Sequence, residues 1–92
     1  MNQEISELRK RVEKIDSKII RLFEKRVELS KEIGLIKRDN GFKIEDLSRE
    51  NKIIEEKKKN SSLNRKFTKD LFRLIFKESK RIQKSIWILN KK

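Results

Sequence analysis

The chain has 92 residues and a formal charge of +12; 46% of them are charged and only 34% hydrophobic. Pro, Cys and His are all absent, which excludes disulfides and thiolate metal sites and removes the usual general base, nucleophile activator and metal ligand. One domain spanning residues 1–92 is expected, and at this size it buries only about 60% of its unfolded surface, so a partner chain would help complete its core.

The opening MNQEISELRK is charged from the start, so no signal peptide is expected. From there Ile5, Leu8, Val12, Ile15, Ile19, Leu22, Arg26, Leu29, Ile33 and Ile36 alternate spacings of three and four. That is a helical seam of period 3.5. Ile20, Phe23 and Val27 widen it, as a helix in a bundle requires. Arg38-Asp39-Asn40-Gly41 is a turn-forming cluster, so the first helix is expected over about residues 3–38, with a length of about 54 Å. A compact monomer of this size has a radius of gyration of about 12–13 Å. The helix overhangs it with the seam still running, and a twofold homodimer is the commonest way to cover such a face.

A second, short helix is expected over about residues 45–59, with Leu47, Ile53 and Ile54 as its apolar contacts. Asn60-Ser61-Ser62 is a polar turn. Asn64 is the N-cap of a third helix that runs to about Leu89. Its stripe reads Phe72, Ile75, Ser79, Ile82 and Ile86, flanked by Leu71, Leu74 and Leu89. No apolar run approaches the roughly 18 residues needed to span a membrane, and a cytoplasmic location is expected. The fold class is all-α, with three helices per chain, one very long, in an intertwined homodimeric six-helix bundle.

The charge of +12 suggests an anionic partner: nucleic acid, a membrane surface or a small polyanion. However, Lys outnumbers Arg 18 to 9 and Ala is absent, a composition that A/T-rich coding also produces. The placement of Arg is therefore more informative than the total. Arg26 occupies a rung where Ile or Leu is due, and Lys37 lies 11 residues on, about 20° away and on the same face. Two long cations there can converge on an anion. Arg9 precedes Arg26 by 17 residues and lies about 260° round the helix, so it addresses a different neighbour. On the second helix Asp46, Arg49 and Glu50 share a face. On the third, Ser79 and Gln83 form an i, i+4 pair on or beside the apolar stripe.

Each of these has a structural explanation when taken alone. A polar core residue can fix register, an Arg–Glu neighbour pair can be a surface feature, and Ser and Gln can bond to an adjacent helix. Three helices presenting polar groups on apolar faces together point instead to a polar pocket inside the bundle, because buried cations and amides are costly unless paired.

In Leu8-Arg9, Ile15-Asp16, Arg26-Val27-Glu28-Leu29, Ile33-Gly34 to Lys37, Asp46-Leu47-Ser48-Arg49-Glu50, and Ser79 with Gln83, the chain resembles the all-helical, dimeric chorismate mutase family. The resemblance covers roughly residues 4–87. It departs from the family at Phe42-Lys43-Ile44, where a Pro is frequent, and at Asn51, where a further basic residue is common. The resemblance implies conversion of chorismate to prephenate, the committed step toward phenylalanine and tyrosine, by a [3,3] rearrangement within one dianionic molecule. It implies no metal and no cofactor. Arg26 and Arg9 would clamp carboxylates, with Arg9 contributed by the other subunit. Lys37 and Gln83 would donate to the breaking ether oxygen. Glu50, with the backbone at Asp46, would hold the ring hydroxyl, Ser79 would help bind a carboxylate, and Arg49 would order Glu50. No feedback domain is expected within the chain.

Three other readings stand beside this one. A lyase on the same fold, removing pyruvate from isochorismate, would use the same arginines. A basic nucleic-acid binder would gather Lys and Arg on one exposed face, whereas here they scatter around all three helices, so neither nucleic acid nor membrane is expected as a partner. A plain coiled coil leaves the second and third helices without a purpose.

Overall fold

Three short polar side chains start the three helices. In the computed structural model, which describes residues 2–89 with the Leu89 side chain excepted, the Asn2 side-chain oxygen accepts the Glu4 and Ile5 amides at 2.7 and 3.4 Å. It opens α1 (Gln3–Asp39). Asp46 accepts the Arg49 amide at 3.0 Å and opens α2 (Leu47–Lys59). Asn64 accepts the Phe67 amide at 2.9 Å and opens α3 (Arg65–Leu89). Such caps satisfy N–H groups that the helix itself leaves unpaired. Asp46 also explains why α2 begins two residues later than the sequence suggests: its backbone is non-helical, with φ −140° and ψ 83°, because its carboxylate serves as the cap. The expected role of the Leu89 side chain in the third stripe lies outside the described residues.

The end of α1 is equally local. Gly41 has φ +68°, the left-handed region that residues with a Cβ enter only at a cost. The Phe42 amide returns to the Lys37 carbonyl at 2.8 Å and the Gly41 amide to the Arg38 carbonyl at 3.3 Å. These are the two bonds of a Schellman ending. They stop a helix of 37 residues, about 55 Å long, and turn the chain back along it.

α3 packs against both α1 and α2, which do not pack against one another. Being wedged between two helices, α3 buries a wide arc. Besides the expected stripe of Ile75, Ser79, Ile82 and Ile86, it turns Thr68, Phe76 and Gln83 inward, an arc of about 120° in all. Phe76, absent from the expected stripe, is one of the few buried apolar side chains, with Ile54 and Ile82. It meets Phe72 at 6.0 Å between ring centroids in a tilted arrangement that suits the ring quadrupoles. Leu47 and Leu74, expected in the core, are more than half exposed, since the inward rotation of α3 and the cap at Asp46 leave both facing outward.

The apolar seam of α1 is uncovered. From Ile5 to Ile36 its large apolar residues, Arg26 aside, are 42–63% exposed. The chain extends 59 × 29 × 15 Å with a radius of gyration of 17.2 Å, against about 12 Å for a compact domain of its length. No described helix is long and apolar enough to cross a membrane. The described residues contain no strand, so the all-α class holds.

Candidate active site

Because α1 and α2 are splayed by α3, a cavity of about 370 Å³ opens between the three helices and the loop that follows α1. Arg26 reaches into it from α1. Its Nη1 donates a short hydrogen bond to Ser79 Oγ on α3, and its guanidinium lies 5.8 Å from the centroid of the Phe76 ring, within cation–π range. Ser30, one turn further along α1, donates to the same Ser79 oxygen at 3.4 Å. With both acceptor positions of that hydroxyl engaged, the Ser79 proton is free to be donated elsewhere. Burial, reinforced by the positive charge of Arg49, lowers the Arg26 pKa. A guanidinium nevertheless stays protonated, so the site carries a cation that its surroundings do not neutralise.

Lys37 enters from the last turn of α1 and donates from Nζ to the Ile44 carbonyl at 2.8 Å. This bond ties the loop after α1 to the helix and leaves the ammonium two further protons. Asp46 lines the cavity while capping α2. Arg49 lines it from the first turn of α2. Among the described residues, Arg26, Lys37 and Arg49 make no ion pair with any carboxylate.

Glu50 is the buried acid of the site, its side chain 9% exposed. It pairs with Lys80 of α3, whose Nζ stands 3.1 Å from Oε2 and 3.3 Å from Oε1. Lys80 also bonds Glu45 at 3.2 Å. Burial works against the Lys80 ammonium, but the hydrogen bonds and charges of Glu50 and Glu45 prevail and its pKa is raised. A raised pKa keeps the ammonium charged across the whole neutral range. Asn51, on the next residue, accepts from Arg73 at 3.0 Å and ties α2 to α3.

Gln83 is buried, and its Oε1 has no partner among the described residues. Its position follows from Gly34. A Cβ at residue 34 would stand 3.0, 3.2 and 3.3 Å from Cγ, Cβ and Cα of Gln83, so the missing side chain lets α1 and α3 approach closely here. Trp87 locks that approach by donating Nε1–H to the Gly34 carbonyl at 2.8 Å. Gly34, next to the seam residue Ile33, is thus the contact that places the amide.

Of the eight residues singled out in the sequence, seven line this one cavity: Arg26, Lys37, Asp46, Arg49, Glu50, Ser79 and Gln83. Arg9 does not. It lies on the exposed amino-terminal part of α1, about 26 Å along the axis from Arg26. Sequence reasoning missed Ser30, Phe76, Lys80 and Trp87. Ser30 and Trp87 had a usable signal, each standing four residues after a residue already selected and so on its face, and a half-buried Trp N–H calls for an acceptor. Lys80 had none that separated it from the other lysines.

The arrangement can hold a compact anion bearing more than one negative charge and one hydroxyl, with hydrogen-bond donors on two sides. Residues 8–84 match the family described as chorismate mutase type II. The chain belongs to that family. It is also 29% identical, over 87 residues, to a protein of Methanocaldococcus jannaschii named chorismate mutase, a match covering 91% of this chain and 88% of that one.

The helix contact at Gly34 has a measurable consequence. Gly34→Ala gains about 1 kcal/mol of helix propensity, but overpacking typically costs about 1–3 kcal/mol, and one of the crowded atoms is the α3 backbone. Because that backbone atom yields less easily than a side-chain tip, the upper part of this range applies, and a net destabilisation of about 1–2 kcal/mol is expected in urea unfolding of the variant beside the wild type. Unchanged or increased stability would show that the two helices separate freely.

Proposed function

We propose that this protein is a chorismate mutase, an isomerase that rearranges chorismate to prephenate by holding the reactive conformer and stabilising charge on the breaking ether bond. The observation that carries the reading is the set of three cations, Arg26, Lys37 and Arg49, that line one cavity and form no ion pair among the described residues. A dianionic substrate supplies what they lack, and membership of the type II family narrows the dianion to chorismate.

In this reading Arg26 binds one carboxylate through its free guanidinium N–H groups, beside the Ser79 hydroxyl, in charge-assisted bonds. Lys37 and Gln83 donate to the ether oxygen, where negative charge grows as the carbon–oxygen bond breaks. Donors aimed at that position lower the barrier more than they tighten substrate binding. Glu50 accepts from the ring hydroxyl, the backbone at Asp46 assists it, and Arg49 orders that wall. The reaction needs no proton transfer or nucleophile, which suits a chain without His and Cys. Clamping both ends of a flexible molecule in its compact form is itself a large contribution.

The active form in this reading is a homodimer. A second copy covers the seam of α1, exposed from Ile5 to Ile36, and carries its own Arg9 to the far side of the cavity, completing the carboxylate clamp. The whole chain acts as one chorismate mutase domain, in the cytoplasm.

Purified protein given chorismate and isochorismate separately is expected to form prephenate from the first and to release no pyruvate from the second; the reverse outcome would identify a lyase. Gln83→Glu should be active only at acid pH, because a carboxyl donates a hydrogen bond only when protonated, whereas the amide donates at any ordinary pH. Equal activity of that variant at pH 5 and 8 would remove Gln83 from its role. Arg9→Ala and Arg26→Ala chains, each nearly inactive alone, should regain activity when mixed, since a heterodimer has one intact site. Continued inactivity after verified subunit exchange would rule out a site shared between chains.

A further inference from the structure

Glu50 is a buried carboxylate with a single cation at ion-pair distance among the described residues, and that cation is Lys80. The other charges around the cavity are placed differently. From α1 come Arg26 and Lys37, from α2 Arg49, and from the loop before α2 Asp46 and Glu45. None of the three other cations pairs with Glu50. Lys80 contacts both carboxylate oxygens, at 3.1 and 3.3 Å. Glu45, 57% exposed, holds the same ammonium from the solvent side at 3.2 Å. A file of acid, ammonium and acid therefore joins the loop, α3 and α2. Lys80 itself stands between Ser79 and Gln83 in the chain, so one stretch of α3 carries all three groups into the site.

A carboxylate offers about four lone-pair positions. Lys80 stands at both Glu50 oxygens, and Glu50 lines the cavity with no other side-chain donor on it among the described residues. We propose that Lys80 is a positioning residue of this site, whose ammonium, seated by Glu45, holds the Glu50 carboxylate turned toward the ring hydroxyl of the substrate. This inference rests on the chorismate mutase reading. Lys80 touches no reacting atom; it acts through Glu50. Without it a buried carboxylate is left unpaired, a state that burial disfavours and that proton uptake relieves. A protonated Glu50 is a poorer acceptor for the hydroxyl.

The test measures kcat and KM for chorismate between pH 5 and 9, with the unfolding midpoint, for the wild type, Lys80→Met, Lys80→Arg, Glu50→Gln and the double variant Lys80→Met/Glu50→Gln. Lys80→Met is expected to lose about ten- to a hundredfold in kcat/KM at neutral pH, the range for a hydrogen bond to a charged group, and its acid limb should move to higher pH. Lys80→Arg should recover most of the activity. In the Glu50→Gln background, removing Lys80 should change kcat/KM little, since the group it acts through is gone. A wild-type pH profile and kcat/KM in Lys80→Met would overturn the inference. So would a loss that is equally large in the Glu50→Gln background, or one that follows the unfolding midpoint with the pH profile unmoved. Turnover of chorismate by the wild type stands as its own control: an inactive wild type removes the function and this inference together, while an active wild type beside an unaffected Lys80→Met removes the inference alone.

Discussion

A guanidinium on an apolar helix face is the constraint around which this chain is arranged. Arg26 occupies a seam position, and the protein gives it neutral company: the Ser79 hydroxyl, with Ser30 behind it, and the face of Phe76. Burial lowers the pKa of Arg26, and the repulsion of Arg49 lowers it further. Burying such a charge without a counter-ion opposes folding, so the empty site is held in place by contacts elsewhere. An anion that enters is favoured twice, by its own attraction to the cations and by relief of their mutual repulsion. By mass action it also stabilises the folded chain.

That arrangement is possible because α3 keeps α1 and α2 apart. The helix meets α1 most closely at Gly34 and Gln83, where the absence of a side chain and the Trp87 hydrogen bond hold the two backbones together. At its other face it meets α2, where Ile54 is buried and Lys80 pairs with Glu50. The cavity is the space left by three helices of which only two pairs touch. Its walls therefore come from every element, and its floor is α3.

Much of this is written locally and can be read from the sequence. The long seam, the turn at Gly41 and the cap at Asn64 depend on spacing and short-range chemistry, so the helices fall within a residue or two of where the pattern puts them, α2 starting later only because Asp46 caps it. Arg26 and Ser79 were legible because each breaks an apolar pattern, and Lys37, Asp46, Arg49, Glu50 and Gln83 because of their spacing and the family resemblance. What was not legible depends on how helices rotate against one another. Phe76 lies just outside the single stripe that periodicity suggests and is buried because α3 has two neighbours. Leu47 and Leu74 look apolar enough for a core but face outward. Lys80 is one of eighteen lysines, and only the position of Glu50 across the helix interface distinguishes it. Gly34 in a helix interior allows either a close helix approach or a mere loss of propensity, and only the fold shows that α3 comes close there.

The bond from Lys37 to the Ile44 carbonyl has an entropic consequence. A free lysine side chain carries about 2 kcal/mol of rotamer entropy, and a ligand that recruits one must first immobilise it. Here the Schellman turn at Gly41 brings the chain back so that a main-chain carbonyl immobilises the ammonium as the protein folds. The loss is thereby charged to folding, and the two remaining protons of Lys37 stand oriented in the cavity before any ligand arrives. Loop conformation and ligand affinity are linked through that one carbonyl, although Ile44 contributes no charge and needs no side-chain chemistry of its own.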